Sequence, residues 1–171
     1  MPGAGRVNFP RCSSRIVKPI IAVIGGSTCS AEETALAEDV GRCLAQQGAV
    51  VVCGGLTGVM EAVAKGAKSN GGITVGILPG GDPTAANQYI EVPLATGLGE
   101  MRNFLIVRSA HALIAIGGGV GTLSEIALAQ RIGKPVVGLH DSFRNAVDMP
   151  RVKTAAEAVT WALERARSGV V

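Results

Sequence analysis

Four short apolar runs in this 171-residue chain end at or just before paired glycines. Ile20-Ile21-Ala22-Val23-Ile24 stops at Gly25-Gly26-Ser27, and Ala49-Val50-Val51-Val52-Cys53 stops at Gly54-Gly55. Ile73-Thr74-Val75-Gly76-Ile77-Leu78 precedes Gly80-Gly81, and Ala112-Leu113-Ile114-Ala115-Ile116 enters Gly117-Gly118-Gly119-Val120-Gly121. A fifth run is Pro135-Val136-Val137-Gly138-Leu139. None alternates apolar with polar, so each predicts a strand covered on both faces. The segments between them have helical spacing. Ser30-Ala31-Glu32-Glu33 has the form of a capping box, which opens a helix carrying Leu36, Val40, Cys43 and Leu44 on one face until Gly48. A second helix is predicted from about Thr57 to Lys68, with Val59, Met60, Val63, Ala64 and Ala67 inward. Others are predicted from about Gly99 to Ala110, from about Thr122 to Ile132, and from Thr154-Ala155-Ala156-Glu157 onward. From Pro79 to about Leu98 the chain is polar and aperiodic, with a short edge strand expected near Tyr89–Val92. A loop of that length inside a small domain is usually functional or mobile.

Regular alternation of buried strands and helices predicts an α/β fold: a Rossmann-like, doubly wound parallel sheet in a single domain. No repeat or linker divides it, and its length suits one domain. The expected division is a basic N-terminal tail at 1–18 and the domain at 19–171. The helix at 99–110 is apolar around most of its circumference at Phe104-Leu105-Ile106-Val107. Such a helix is buried on more than one side, by its own core or by a second copy of the chain. It is therefore the expected surface of a homodimer, with a tetramer also open.

Composition narrows the function. The net charge is +3, but Arg6, Arg11, Arg15 and Lys18 precede any acid, so the body is near neutral. With five aromatic residues in all, a base-stacking surface is not expected, which argues against a nucleic-acid partner. The basic tail lacks the apolar core of a secretory signal, and no apolar run is long enough for a membrane helix. Cys12, Cys29, Cys43 and Cys53 form no C-x-x-C pair, which predicts no metal site and a reducing, cytoplasmic setting. His111 and His140 are isolated and lack metal-ligand spacing.

Open parallel sheets bind ligands beyond the carboxyl ends of their strands, and here those ends carry the clustered glycines. Glycine lets main-chain N–H groups approach an anion closely, and the helix after Gly121 adds its electropositive end. A phosphate is thus expected at Gly118, Gly119, Val120, Gly121 and Thr122, although glycines also serve simple tight turns. The chain has no G-x-x-x-x-G-K-[ST], no G-x-G-x-x-G after the first strand, no acidic residue ending the second, and no G-x-S-x-G. P-loop, standard dinucleotide and serine-hydrolase chemistries are therefore not predicted. Glu125 has two readings: a site carboxylate, or the end of a Thr122–Glu125 capping box. Arg102 stands in the first turn of its helix against the helix dipole, and it too has two readings: an ordinary surface arginine, or a ligand-binding one whose conflict with the dipole a bound anion removes.

These residues resemble the LOG ("Lonely Guy") family, long described as possible lysine decarboxylases. Gly117-Gly118-Gly119-Val120-Gly121-Thr122-Leu123-Ser124-Glu125 is similar to the family's P-G-G-x-G-T-x-x-E signature. Cys53-Gly54-Gly55-Leu56-Thr57-Gly58-Val59-Met60 resembles its G-G-G-x-x-G-L-M segment, and Glu100-Met101-Arg102-Asn103 occupies the place of M-x-x-R-K. Gly117 and Asn103 depart from the family's Pro and Lys. In this they are similar to the small branch that includes molybdenum cofactor carrier proteins, which form dimers and tetramers. The resemblance implies a cytosolic binding protein for a phosphorylated heterocycle, a molybdopterin-like cofactor or a nucleotide. Its phosphate would lie on Gly118–Thr122, Arg102 and Asn103 would hold its anionic part, and its ring would lie over Gly25, Gly26, Ser27, Gly54, Gly55 and Thr57. The alternative it implies is a nucleoside 5′-monophosphate phosphoribohydrolase with Arg102 and Glu125 as catalytic residues. Lysine decarboxylation is not expected, because no lysine sits in a recognisable pyridoxal-binding context.

Overall fold

The computed structural model describes residues 17–139, 143 and 145–168. The basic residues Arg6, Arg11 and Arg15, together with Cys12 and His140, lie outside them. From the amino end the elements are β1 (Ile20–Gly25), α1 (Ala31–Gln46), β2 (Val50–Cys53), α2 (Val59–Lys68), β3 (Ile73–Leu78) and β4 (Val92–Ala95). Then follow α3 (Arg102–Ser109), β5 (Ala112–Ile116), α4 (Val120–Arg131), β6 (Val136–Leu139), β7 (Arg151–Val152) and α5 (Ala155–Ser168). Single 3-10 turns stand at Pro83–Ala85 and Gly99–Met101.

The seven strands form one parallel sheet in the order β4-β3-β2-β1-β5-β6-β7. β1 is central, with Ile21 level with Val51 on one side and Ala112 on the other. The chain first winds outward from β1 to β4, then returns to build β5 on the opposite side. The sheet therefore reverses direction between β1 and β5, and at such a point two loops part and leave a crevice.

Successive side chains of a strand face opposite ways, so both sets must be apolar when both faces are covered. Ile21, Val23, Val51 and Ile114 pack with α1, α2 and α5, whereas Ala22, Ile24, Val52 and Leu113 pack with α3 and α4. This explains the unalternating runs. Helices α1 and α2 meet closely, because a Cβ on Gly41 would strike the Val63 carbonyl and one on Gly66 the Glu38 carbonyl.

Four predicted boundaries move, the first at α3, which is expected from about Gly99 but opens as a 3-10 turn at Gly99–Met101 and becomes α-helical at Arg102. The edge strand lies at Val92–Ala95 instead of Tyr89–Val92, because Ile90 turns into the core and Thr74 Oγ1 donates to the Tyr89 carbonyl at 2.7 Å. It contains Pro93, which an edge tolerates. Helix α2 begins at Val59, two residues late, since Gly58 caps it at φ +67°. Helix α4 begins at Val120, two residues early, with Gly119 as its N-cap and no side-chain cap. Thr122 and Glu125 therefore lie inside the helix and do not form a capping box. No helix among the described residues is long and apolar enough to cross a membrane.

Candidate functional site

A cleft of about 670 Å³ opens at the carboxyl ends of β1, β2 and β5, at the reversal point of the sheet. Of the residues singled out in the sequence, Gly25, Gly26, Ser27, Gly54, Arg102, Asn103, Gly118, Gly119, Gly121, Thr122 and Glu125 line it. Gly55, Thr57 and Val120 do not. The Gly55 carbonyl accepts from Asn87 N at 2.9 Å, Thr57 Oγ1 donates to the Ser27 carbonyl at 2.9 Å, and Val120 is 84% exposed. Leu56, within the Gly54–Thr57 stretch expected under the ring, also lines the cleft, as do Thr28, Glu33, Met60 and Glu100, which the sequence does not single out as site residues.

One wall is the glycine turn entering α4. Gly117 and Gly118 have φ of +53° and +107°, in the region side-chain-bearing residues avoid. A Cβ on Gly118 would also collide with the Thr122 side chain. The first N–H groups of a helix lack intrahelical partners, and here no side chain caps them. Among the described residues, none of the amides of residues 118–122 donates to another protein group. They meet the cleft together with the positive end of the α4 dipole.

The facing wall is built around Arg102, the first residue of α3 and 7% exposed. Its Nη1 donates to the Ile77 carbonyl at 2.8 Å, which ties the guanidinium to the end of β3. Its Nε is buried without a partner. Gly54 makes room for it, since a Cβ there would overlap Arg102 Nη1 and the Met60 sulfur. Among the described residues Arg102 is the only cation lining the cleft, against the carboxyls of Glu33, Glu100 and Glu125. Asn103 is also 7% exposed.

Glu125 is 6% exposed and projects from the second turn of α4. Burial pushes its carboxyl up to about 8, with Arg102 working against that rise and Glu100 adding to it. At neutral pH it is largely protonated, so it can donate as well as accept a hydrogen bond. Below Gly54, burial pushes the Cys53 thiol up to about 11, which leaves it protonated and unsuited to nucleophilic attack. No group of metal-ligating side chains occurs among the described residues.

Fold and cleft together define a Rossmann-like α/β protein with a polar crevice at its topological switch point. The chain belongs to the SLOG cluster4 family, whose model matches residues 18–166. An uncharacterized protein from Archaeoglobus fulgidus is 44% identical over 144 residues, 84% of this chain and 93% of that one. Among solved structures, the molybdenum cofactor binding protein from Rippkaea orientalis superposes with a TM-score of 0.82 at 33% identity, covering 88% of this chain and 98% of that one. The molybdenum cofactor carrier protein from Chlamydomonas reinhardtii does so with a TM-score of 0.78 at 32% identity, covering 89% and 99%. A likeness to DNA processing protein A from Streptococcus pneumoniae, with a TM-score of 0.69 at 20% identity over 84% of this chain and 61% of that one, is one of fold alone.

Proposed function

We propose that this protein is a cytoplasmic carrier that binds a phosphorylated heterocycle of the molybdopterin kind. The observation that carries this reading is the set of unengaged amides at 118–122, in one cleft with a buried arginine whose Nε no described residue uses. Those amides hold the phosphate, assisted by the helix dipole and the Thr122 hydroxyl. Arg102, fixed to Ile77, and Asn103 hold the ligand's other polar atoms. The ring lies over Gly25, Gly26 and Ser27. Both solved relatives described above are named for molybdenum cofactor binding or carriage, which supports the same class of ligand.

The position of Glu125 beside Arg102 favours a second reading, hydrolysis of a nucleoside 5′-monophosphate at its glycosidic bond. A carboxylate serves that reaction by stabilising an oxocarbenium-like sugar or activating water. Burial leaves only a minor fraction of Glu125 ionised at neutral pH for either role, so the cleft suits binding better.

The test pairs two measurements. Molybdenum cofactor released from a molybdoenzyme should bind the purified protein, and Arg102→Gln should weaken that binding by about 10–100-fold, the scale of a lost hydrogen bond to a charged group. Incubation with adenosine or cytokinin riboside 5′-monophosphate should release no ribose 5-phosphate. Release that disappears in Glu125→Gln would replace the carrier reading by the hydrolase.

We further propose that two copies pair through α3. Ile106 and Val107 are buried in the protein's own core, whereas Met101, Phe104 and Leu105 are 76%, 42% and 37% exposed. The helix thus carries apolar side chains on its outer side as well as its inner one.

A further inference from the structure

We infer that Glu33 reads the ring of the bound ligand. Its carboxylate accepts hydrogen bonds from an amino-bearing N–H edge, so the cleft selects phosphorylated 2-amino-4-oxo heterocycles over their 2-oxo counterparts. The inference rests on the carrier reading above and adds the chemistry of ring choice.

In sequence, Glu33 is the last residue of the Ser30–Glu33 capping box of α1 and its role looks complete. In the structure that role uses one oxygen. Glu33 Oε2 accepts from Ser30 N at 2.8 Å, while Glu33 N donates to Ser30 Oγ at 3.1 Å. Oε1 points the other way. It packs over Gly117 at the end of β5 and fills the space where a Cβ of that residue would stand. Glu33 lines the cleft, and among the described residues no cation pairs with it. The cap bond fixes the carboxylate, so a ligand need not order it.

Donor and acceptor character separates Glu33 from the groups suited to a phosphate. The amides of 118–122 and Arg102, with its buried and unpartnered Nε, supply the donors an anion needs. Glu33 supplies only acceptors. It stands in the first turn of α1, just after the β1 turn, with Oε1 against Gly117, and it lines the cleft together with Gly25–Ser27. Oε1, together with the lone pair of Oε2 that the Ser30 amide leaves unused, can accept the two N–H groups of an amino-imino edge. A 2-oxo ring presents an oxygen there, and two acceptors oppose each other. Sites built to hydrogen-bond a donor reject analogues that lack it more strongly than apolar pockets reject a missing methylene.

The phosphate esters of 6-hydroxymethylpterin and 6-hydroxymethyllumazine share one arm and differ at ring position 2, and both fluoresce. Titration of the full chain should show the pterin ester bound at least about 10-fold more tightly. Glu33→Gln keeps the capping-box form, so the melting temperature should hold while the ratio falls towards unity. Ser30→Ala should lower the melting temperature but keep the ratio, which separates the cap from the reading. A preference that survives Glu33→Gln, or equal binding of both esters to the unmodified protein, overturns the role of Glu33 and leaves the carrier reading standing. Failure of both esters to bind overturns both.

Discussion

Glu125 sets the pH response of the site. Its carboxyl moves from an ordinary 4.5 to about 8 on folding, chiefly through burial. Below pH 4.5 it is protonated in both folded and unfolded chains and has no effect. Between 4.5 and 8 the unfolded chain releases this proton and the folded chain keeps it. Stability therefore falls as pH rises through that window, by an amount on the order of a few kcal/mol, and levels off above it. Glu125→Gln should remove this slope, as chemical denaturation at pH 5, 7 and 9 will show. Binding should follow the same group. Above pH 8 an ionised Glu125 opposes any anion bound in the same cleft, so affinity for the proposed phosphorylated ligand should drop there in the unmodified protein and stay level in Glu125→Gln, read by titration across pH. The neighbouring arginine is positioned by absence as much as by contact, because Gly54 leaves the volume that its guanidinium occupies.

At the scale of elements, α1 and α2 depend on two glycines that face backbone. Gly66→Ala gains about 0.8–1.0 kcal/mol of helix propensity. The new methyl, however, meets the Glu38 carbonyl, which no rotamer change can move. Overpacking of this kind costs about 1–3 kcal/mol, and more against rigid backbone, so the collision wins. The melting temperature should fall by roughly 3–6 °C at 2–4 °C per kcal/mol, measured by calorimetry. The same physics sets what could be read from sequence. Strand β3 sits where its apolar run places it, and both true capping boxes, at Ser30 and Thr154, open their helices. Thr122–Glu125 has the same letters without the same role, since the real cap is Gly119, which has no side chain to signal it. Strand β4 lies beyond the stretch expected at Tyr89–Val92 because Ile90 packs into the core, a tertiary contact with no local signal, and β7 has two residues, too few for a periodicity. At the site, the glycine clusters pointed to the cleft, and Arg102 and Glu125 stood out by their settings. Glu33 did not, because a local cap already accounted for it. Met60 and Thr28 reach the cleft only through tertiary packing, for which a single chain carries no local pattern.

For the molecule as a whole, the outer side of α3 with the preceding turn presents Met101, Phe104 and Leu105 to solvent. Burying Met101 and Phe104 against a second copy removes apolar surface worth about 25 cal/mol per Å² from water, and a charge placed there must be desolvated. Met101→Asp with Phe104→Asp should convert a dimer to a monomer in light scattering coupled to size exclusion. The melting temperature should then show no dependence on protein concentration. A tetramer that persists in the double variant would place the contact elsewhere.

Pro93 bears on what such assembly can become. A strand at the rim of a sheet invites another chain to join it, and this rim lacks one amide hydrogen. The opposite rim is the two-residue β7. Neither margin offers a template on which sheet after sheet could grow. Crowded copies are thereby steered away from edge-to-edge fibril growth.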